Sequence, residues 1–130
     1  MEIMVCYDGS DGSRAALDVA IKYAHAFKAK IYLVASLEKR TEDEQKDIQN
    51  LETGLKSGKD KLTSEGIGCE TQLLVRGMTP GEDLVFYARE KGVDEIIIGI
   101  RKRSKVSKLF FGSTAQYLIL NAHCPVVTVK

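Results

Sequence analysis

A chain of 130 residues, 44% of them hydrophobic, has room for one domain over residues 1–130 and enough apolar material for a core without metal or disulfide staples. Nineteen basic against eighteen acidic residues leave a net charge of +1, which argues against a generally basic nucleic-acid coat or an acidic tail protein but leaves room for a local patch. The longest apolar run, as at Ile3–Tyr7, spans about five residues where a membrane helix needs about twenty.

In chain order, Met1–Asp8 is a near-continuous apolar run and predicts a strand, closed by the turn cluster Asp8-Gly9-Ser10-Asp11-Gly12-Ser13. Leu17, Ala20, Ile21, Ala24 and Phe27 then share one face at helical spacing, with Arg14, Asp18, Lys22 and Lys28 outward. Lys30–Leu37 reads as a second strand. Glu42–Glu65 is highly charged, with Ile48, Leu51, Leu55 and Leu62 on a narrow stripe, and predicts a long, solvated helix weakened by Gly54 and Gly58. Cys69–Val75 is a third strand. Thr79-Pro80-Gly81-Glu82 has capping-box form with proline at the first helical position, opening a helix to about Lys91. Glu95–Ile100 is a fourth strand, Gly112-Ser113-Thr114 opens a helix to about Ala122, and Pro125–Val129 is the fifth strand.

Strands and helices in strict alternation predict an α/β fold with an open parallel sheet covered on both faces. Ligands of such sheets gather at the carboxyl ends of the strands, here Asp8, Leu37, Arg76, Gly99 and Val129. The segment from Gly99 to Thr114 joins a strand end to a helix start, where unpaired N–H groups and the helix dipole attract phosphate. Gly99 and Gly112 would permit close backbone approach, Ser113 and Thr114 add hydroxyls, and Arg101, Lys102, Arg103, Lys105 and Lys108 add positive charge. A solvated basic loop is the alternative reading. The turn cluster could hold a ribose or a metal through Asp8, or only cap the next helix through Ser10 or Asp11. His25 and His123 show no ligand spacing, and no catalytic residue or metal site is assigned. Cys6, Cys69 and Cys124 form no CxxC pair, and two of them lie in or beside apolar runs as small hydrophobes do. With Glu2 near the start and no basic-then-apolar leader, the expected location is a reducing cytoplasm.

Ile3-Met4-Val5-Cys6-Tyr7-Asp8-Gly9-Ser10 resembles the first strand and turn of the universal stress protein family. Gly77–Pro80 and Gly92–Gly99 resemble its third helix and fourth strand, and Gly112-Ser113 with Cys124–Val127 resembles its phosphate turn and closing strand. The resemblance covers the whole chain. It implies a Rossmann-like, adenine-nucleotide alpha-hydrolase-like sheet of five parallel strands in the order 3-2-1-4-5, helices on both faces, and a homodimer. Nucleotide-binding members carry Gly, two residues, Gly, nine residues, Gly, then Ser or Thr. Gly99, Gly112 and Ser113 match that spacing, whereas Lys102 occupies the second glycine position. Lys102 either supplies charge to the phosphates or blocks their approach.

The resemblance implies a stress-response regulatory module that binds ATP, with Mg2+, between the ends of strands one and four, and that hydrolyses it slowly at most. The nucleotide-binding residues it implies are Asp8, Ala35 near the base, Gly99, Arg101, Lys102, Gly112, Ser113 and Thr114. The alternative is a member that binds no nucleotide and works through contacts with a protein partner. Two other classes fit less well. A nucleic-acid module would need more net charge and aromatic stacking, and a phosphotransfer receiver would need an Asp where the third strand ends in Val75-Arg76. In the expected order, strand three is an edge blunted by Glu70, Thr71 and Gln72. Strand five, Val126–Val129, is an unguarded edge expected to pair with its own copy across a twofold axis.

Overall fold

Ile3, Met4 and Val5 are fully buried because β1 (Glu2–Cys6) lies in the middle of a five-stranded sheet. The computed structural model describes residues 1–38, 44–102, 109–110 and 112–130, with the backbone alone at 44, 101, 102, 109 and 110. After β1 come α1 (Asp11–Phe27), β2 (Lys30–Ser36), α2 (Glu44–Ser64), β3 (Cys69–Leu74), α3 (Pro80–Lys91) and β4 (Glu95–Gly99). A two-stranded hairpin, β5 (Arg101–Lys102) and β6 (Leu109–Phe110), precedes α4 (Ser113–Asn121) and β7 (Val126–Val129). The large sheet runs β3-β2-β1-β4-β7 with every pairing parallel. That is the expected 3-2-1-4-5 once the hairpin is set aside.

Alternation along the strands divides the core. Ile3, Val5, Ile31, Leu33 and Ala35 face α1 and α2, whereas Met4, Cys6, Tyr32 and Val34 face α3 and α4. This two-faced burial is why the strands read as continuous apolar runs.

Helix starts follow their local chemistry. Ser10 caps α1 by accepting from Ser13 N at 3.2 Å, and Thr79 caps α3 by accepting from Glu82 N at 3.4 Å. Lys28 and Gly92, both with positive φ, end α1 and α3 in the left-handed conformation.

The differences from the sequence reading are local. β1 stops at Cys6 and not Asp8, β2 at Ser36, β3 at Leu74 and β4 at Gly99, because each chain leaves the ladder as it enters its connecting turn. The first part of the expected second helix, 42–43, lies outside the described residues. Phe27, placed on the apolar face of α1, is 58% exposed and touches Tyr23 edge-on instead. Gly54 and Gly58 have a packing reason. A Cβ at 54 would overlap the Tyr7 hydroxyl, and one at 58 would sit 2.5 Å from Leu33 Cδ2. α2 therefore carries a smooth strip that lets it settle on Tyr7 and β2.

Candidate functional site

The carboxyl ends of β1, β2 and β4 surround a cavity of about 350 Å³, within the range of small-molecule sites, roughly 300–1,000 Å³. It opens beside the β1–β4 pair, where the order of connection reverses. From β1, its turn and the start of α1 come Cys6, Tyr7, Asp8, Ser10 and Ser13; from the end of β4 and the residue after it come Ile98, Gly99 and Ile100. Gly112, Ser113, Thr114 and Ala115 enter from the start of α4, Ser36 from the end of β2, and Pro80 and Leu84 from α3.

Of the residues expected at a site, Asp8, Gly99, Gly112, Ser113 and Thr114 line this cavity together. Asp8 Oδ1 accepts from Ser10 N at 2.9 Å, which shapes the turn at the mouth. Ala35 is buried on the α1–α2 side of the sheet and does not line the cavity; its neighbour Ser36, one step along the pleat, does. Arg101 and Lys102 belong by backbone to the hairpin that leaves the cavity edge. Their side chains, and all of Arg103, Lys105 and Lys108, lie outside the described residues. Asp11 pairs with Arg14 on the surface at 3.0 Å. His25 meets Glu65 at 3.0 Å, and His123 meets the Val93 carbonyl at 2.9 Å, both away from the cavity.

The two glycines do different things. A Cβ at Gly99 would overlap the Gly12 backbone, so this glycine lets the first turn of α1 press onto the end of β4. At Gly112 a Cβ would meet no atom of the described residues within 4 Å, and φ is −61°, so neither packing among them nor backbone conformation calls for glycine there. Gly112 is also the N-cap of α4 and makes no side-chain cap bond, unlike Ser10 and Thr79. The start of α4 thus offers backbone N–H groups to the cavity past a position without a side chain.

Two features escape the sequence reading. Cys6 lines the cavity, and burial, with a smaller effect from Asp8, pushes its thiol far above the ordinary range, so it is a neutral wall and not a nucleophile. Behind Ser36 stands Asp83, fully buried on α3 and paired with Arg76. An aspartate immediately before Leu84 and Val85, buried neighbours on α3, and an arginine just beyond β3 were the available signals. Among the described residues, no group of three or more His, Cys, Asp or Glu side chains is placed to hold a metal ion. No helix among them is long and apolar enough to cross a membrane.

A model of the universal stress protein family matches residues 1–130. The chain belongs to the universal stress protein family. A universal stress protein of Thermus aquaticus is 31% identical over 98% of this chain and 97% of its own length. The structure of a universal stress protein from Archaeoglobus fulgidus superposes with a TM-score of 0.90 at 37% identity, covering 100% of this chain and 98% of that one. A universal stress protein structure from the same organism, in complex with dAMP, has a TM-score of 0.83 at 36% identity and coverage of 100% and 98%.

Proposed function

We propose that this universal stress protein binds an adenine nucleotide in the cavity at the ends of β1, β2 and β4, and acts in the cytoplasm as a regulatory module of the stress response. The carrying observation is the start of α4: an N-cap glycine whose Cβ position is clear of every described residue, next to the hydroxyls of Ser113 and Thr114, on a cavity that Asp8 also lines. That arrangement suits phosphate by hydrogen bonding and by the helix dipole. The dAMP complex of the Archaeoglobus fulgidus protein supports the same ligand class. Bound Mg2+ would neutralise phosphate charge in ATP, and Asp8 is the carboxylate beside which it would lie. Gly99 and Ala35 serve this reading as backbone at the cavity floor and behind the base. Residues 1–130 form a single universal stress protein domain, and it works as a homodimer through β7.

Titrating ATP with magnesium into labelled protein tests the site. Amide shifts are expected at residues 8–13, 34–37 and 99–115, and shifts elsewhere, or none at millimolar ligand, would end this reading.

The second reading, a member that works without nucleotide, is favoured by Lys102 at a motif glycine position. The two separate on one substitution. If the Lys102 ammonium partners phosphate, Lys102→Gly weakens ATP about tenfold or more, a charge-assisted contact being worth roughly 1.5–3 kcal/mol, and weakens adenosine less. If Lys102 obstructs the site, the same change strengthens ATP. With Arg101, Arg103 and Lys105 reinforcing one positive field, the loss is the expected result.

A further inference from the structure

Three side chains tie the end of β2 to α3. Ser36 Oγ donates to Asp83 Oδ2 at 3.1 Å, and Asp83 Oδ1 accepts from the Arg76 guanidinium at 2.6 Å. Arg76 also donates to Glu90 at 3.1 Å. Burial of the guanidinium by itself would lower its pKa, but the hydrogen bonds it donates to Asp83 and Glu90 outweigh that and hold it above its ordinary value. Asp83 is fully buried, and both its oxygens are engaged by donors.

A serine hydroxyl has one proton and two lone pairs. Asp83 is ion-paired with Arg76 through Oδ1 and accepts from Ser36 through Oδ2, so the Ser36 proton is committed to it. What Ser36 can offer the cavity it lines is therefore oxygen lone pairs alone. β1 separates β2 from β4, which puts Ser36 about two strand spacings, roughly 10 Å, across the cavity mouth from Gly99. If the phosphates lie at the start of α4, the far end of a nucleotide reaches the β2 side.

We propose that Arg76 and Asp83 act as a positioning pair that fixes the Ser36 hydroxyl as an acceptor, so that the β2 end of the cavity selects a purine with an amino group over one with an oxo group at the same position. The inference rests on the nucleotide reading above. Its physical basis is that a fixed acceptor set against a carbonyl oxygen leaves both without a partner, which costs more than a good bond gains.

Calorimetry with AMP and IMP on the full chain tests it. Wild type is expected to favour AMP by tenfold or more. Ser36→Ala should bring the two within about threefold, mainly by weakening AMP, because IMP has no good contact to lose. Asp83→Asn should go further. With its amide oxygen toward Arg76, its NH2 group donates to Ser36, the hydroxyl proton turns to the cavity, and preference shifts toward IMP. A purely structural defect would weaken both ligands alike. An unchanged AMP-to-IMP ratio in Ser36→Ala, with AMP still bound by wild type, overturns the positioning pair and leaves nucleotide binding standing. Failure of wild type to bind either ligand overturns both. Should Asp83→Asn fail to fold, the Ser36→Ala ratio alone decides.

Discussion

A methyl group added at Gly99 would run into the Gly12 backbone, whereas one added at Gly112 would meet none of the described residues. The consequences differ in kind. Gly99→Ala should lose about 1–3 kcal/mol of stability, since the backbone it strikes cannot rotate away. Gly112→Ala should leave stability within about 0.5 kcal/mol and reduce ATP affinity instead. Urea unfolding and calorimetry on both variants check this, and wild-type affinity in Gly112→Ala would remove the close-approach argument. Cys6 and Tyr32 give the fold an alkaline limit. Burial raises the Cys6 thiol, and burial followed by the hydrogen bond to Glu2 raises the Tyr32 hydroxyl. Both groups keep their protons longer folded than unfolded, so their contribution is complete below the ordinary thiol value and is lost as pH rises through and above it. Thermal melts should show Tm falling between about pH 8.5 and 10.5, less steeply in Cys6→Ala. Little of this was visible in the residues themselves. Gly99 and Gly112 match one spacing, and only their neighbours in space distinguish packing from ligand access.

At the scale of elements, α2 presents a conflict between local preference and packing. Alanine is a better helix former than glycine by about 1 kcal/mol, so propensity alone makes Gly58→Ala stabilising. Its Cβ would sit 2.5 Å from Leu33 Cδ2, and Leu33 is itself core. A net loss of about 1–2 kcal/mol is expected by urea unfolding; a gain would mean α2 floats free of the sheet. α3 is held by charge as well as by packing. Arg76→Ala leaves Asp83 buried without its cation and should cost about 3 kcal/mol, read as a lowered Tm. Strand and helix order was legible because each buried strand is a continuous apolar run and two of the helices carry side-chain caps. The β5–β6 hairpin was not, since two residues are too few to carry a period. Ala35 and Ser36 exemplify the same limit: a strand's two faces differ by one residue, and nothing in the run Ile31–Ser36 says which face the cavity occupies.

For the molecule as a whole, the sheet ends in two unlike edges. β3 turns Glu70 and Gln72 to solvent, while β7 pairs with β4 and, among the described residues, has no strand on its other side, where its valines are partly exposed. α4, just before β7, exposes Ile119 and Leu120. Light scattering should find a dimer at tens of micromolar, on the order of ordinary assay conditions for standard-size interfaces. Residues 125 and 129 bond to β4, so the outer edge is presented by 126 and 128, and Thr128→Pro, which removes an outward donor, should give monomers. A wild-type monomer would exclude the β7 pairing. The chain contains no tryptophan and five tyrosines, and Tyr7 lines both the cavity at the strand ends and a larger groove of about 550 Å³ between α1 and α2. Its emission is consequently not swamped by indole. A purine settling beside that ring would dim the ultraviolet fluorescence of the unmodified protein, giving an optical signal of occupancy that needs no label, and Tyr7→Phe would identify the ring responsible.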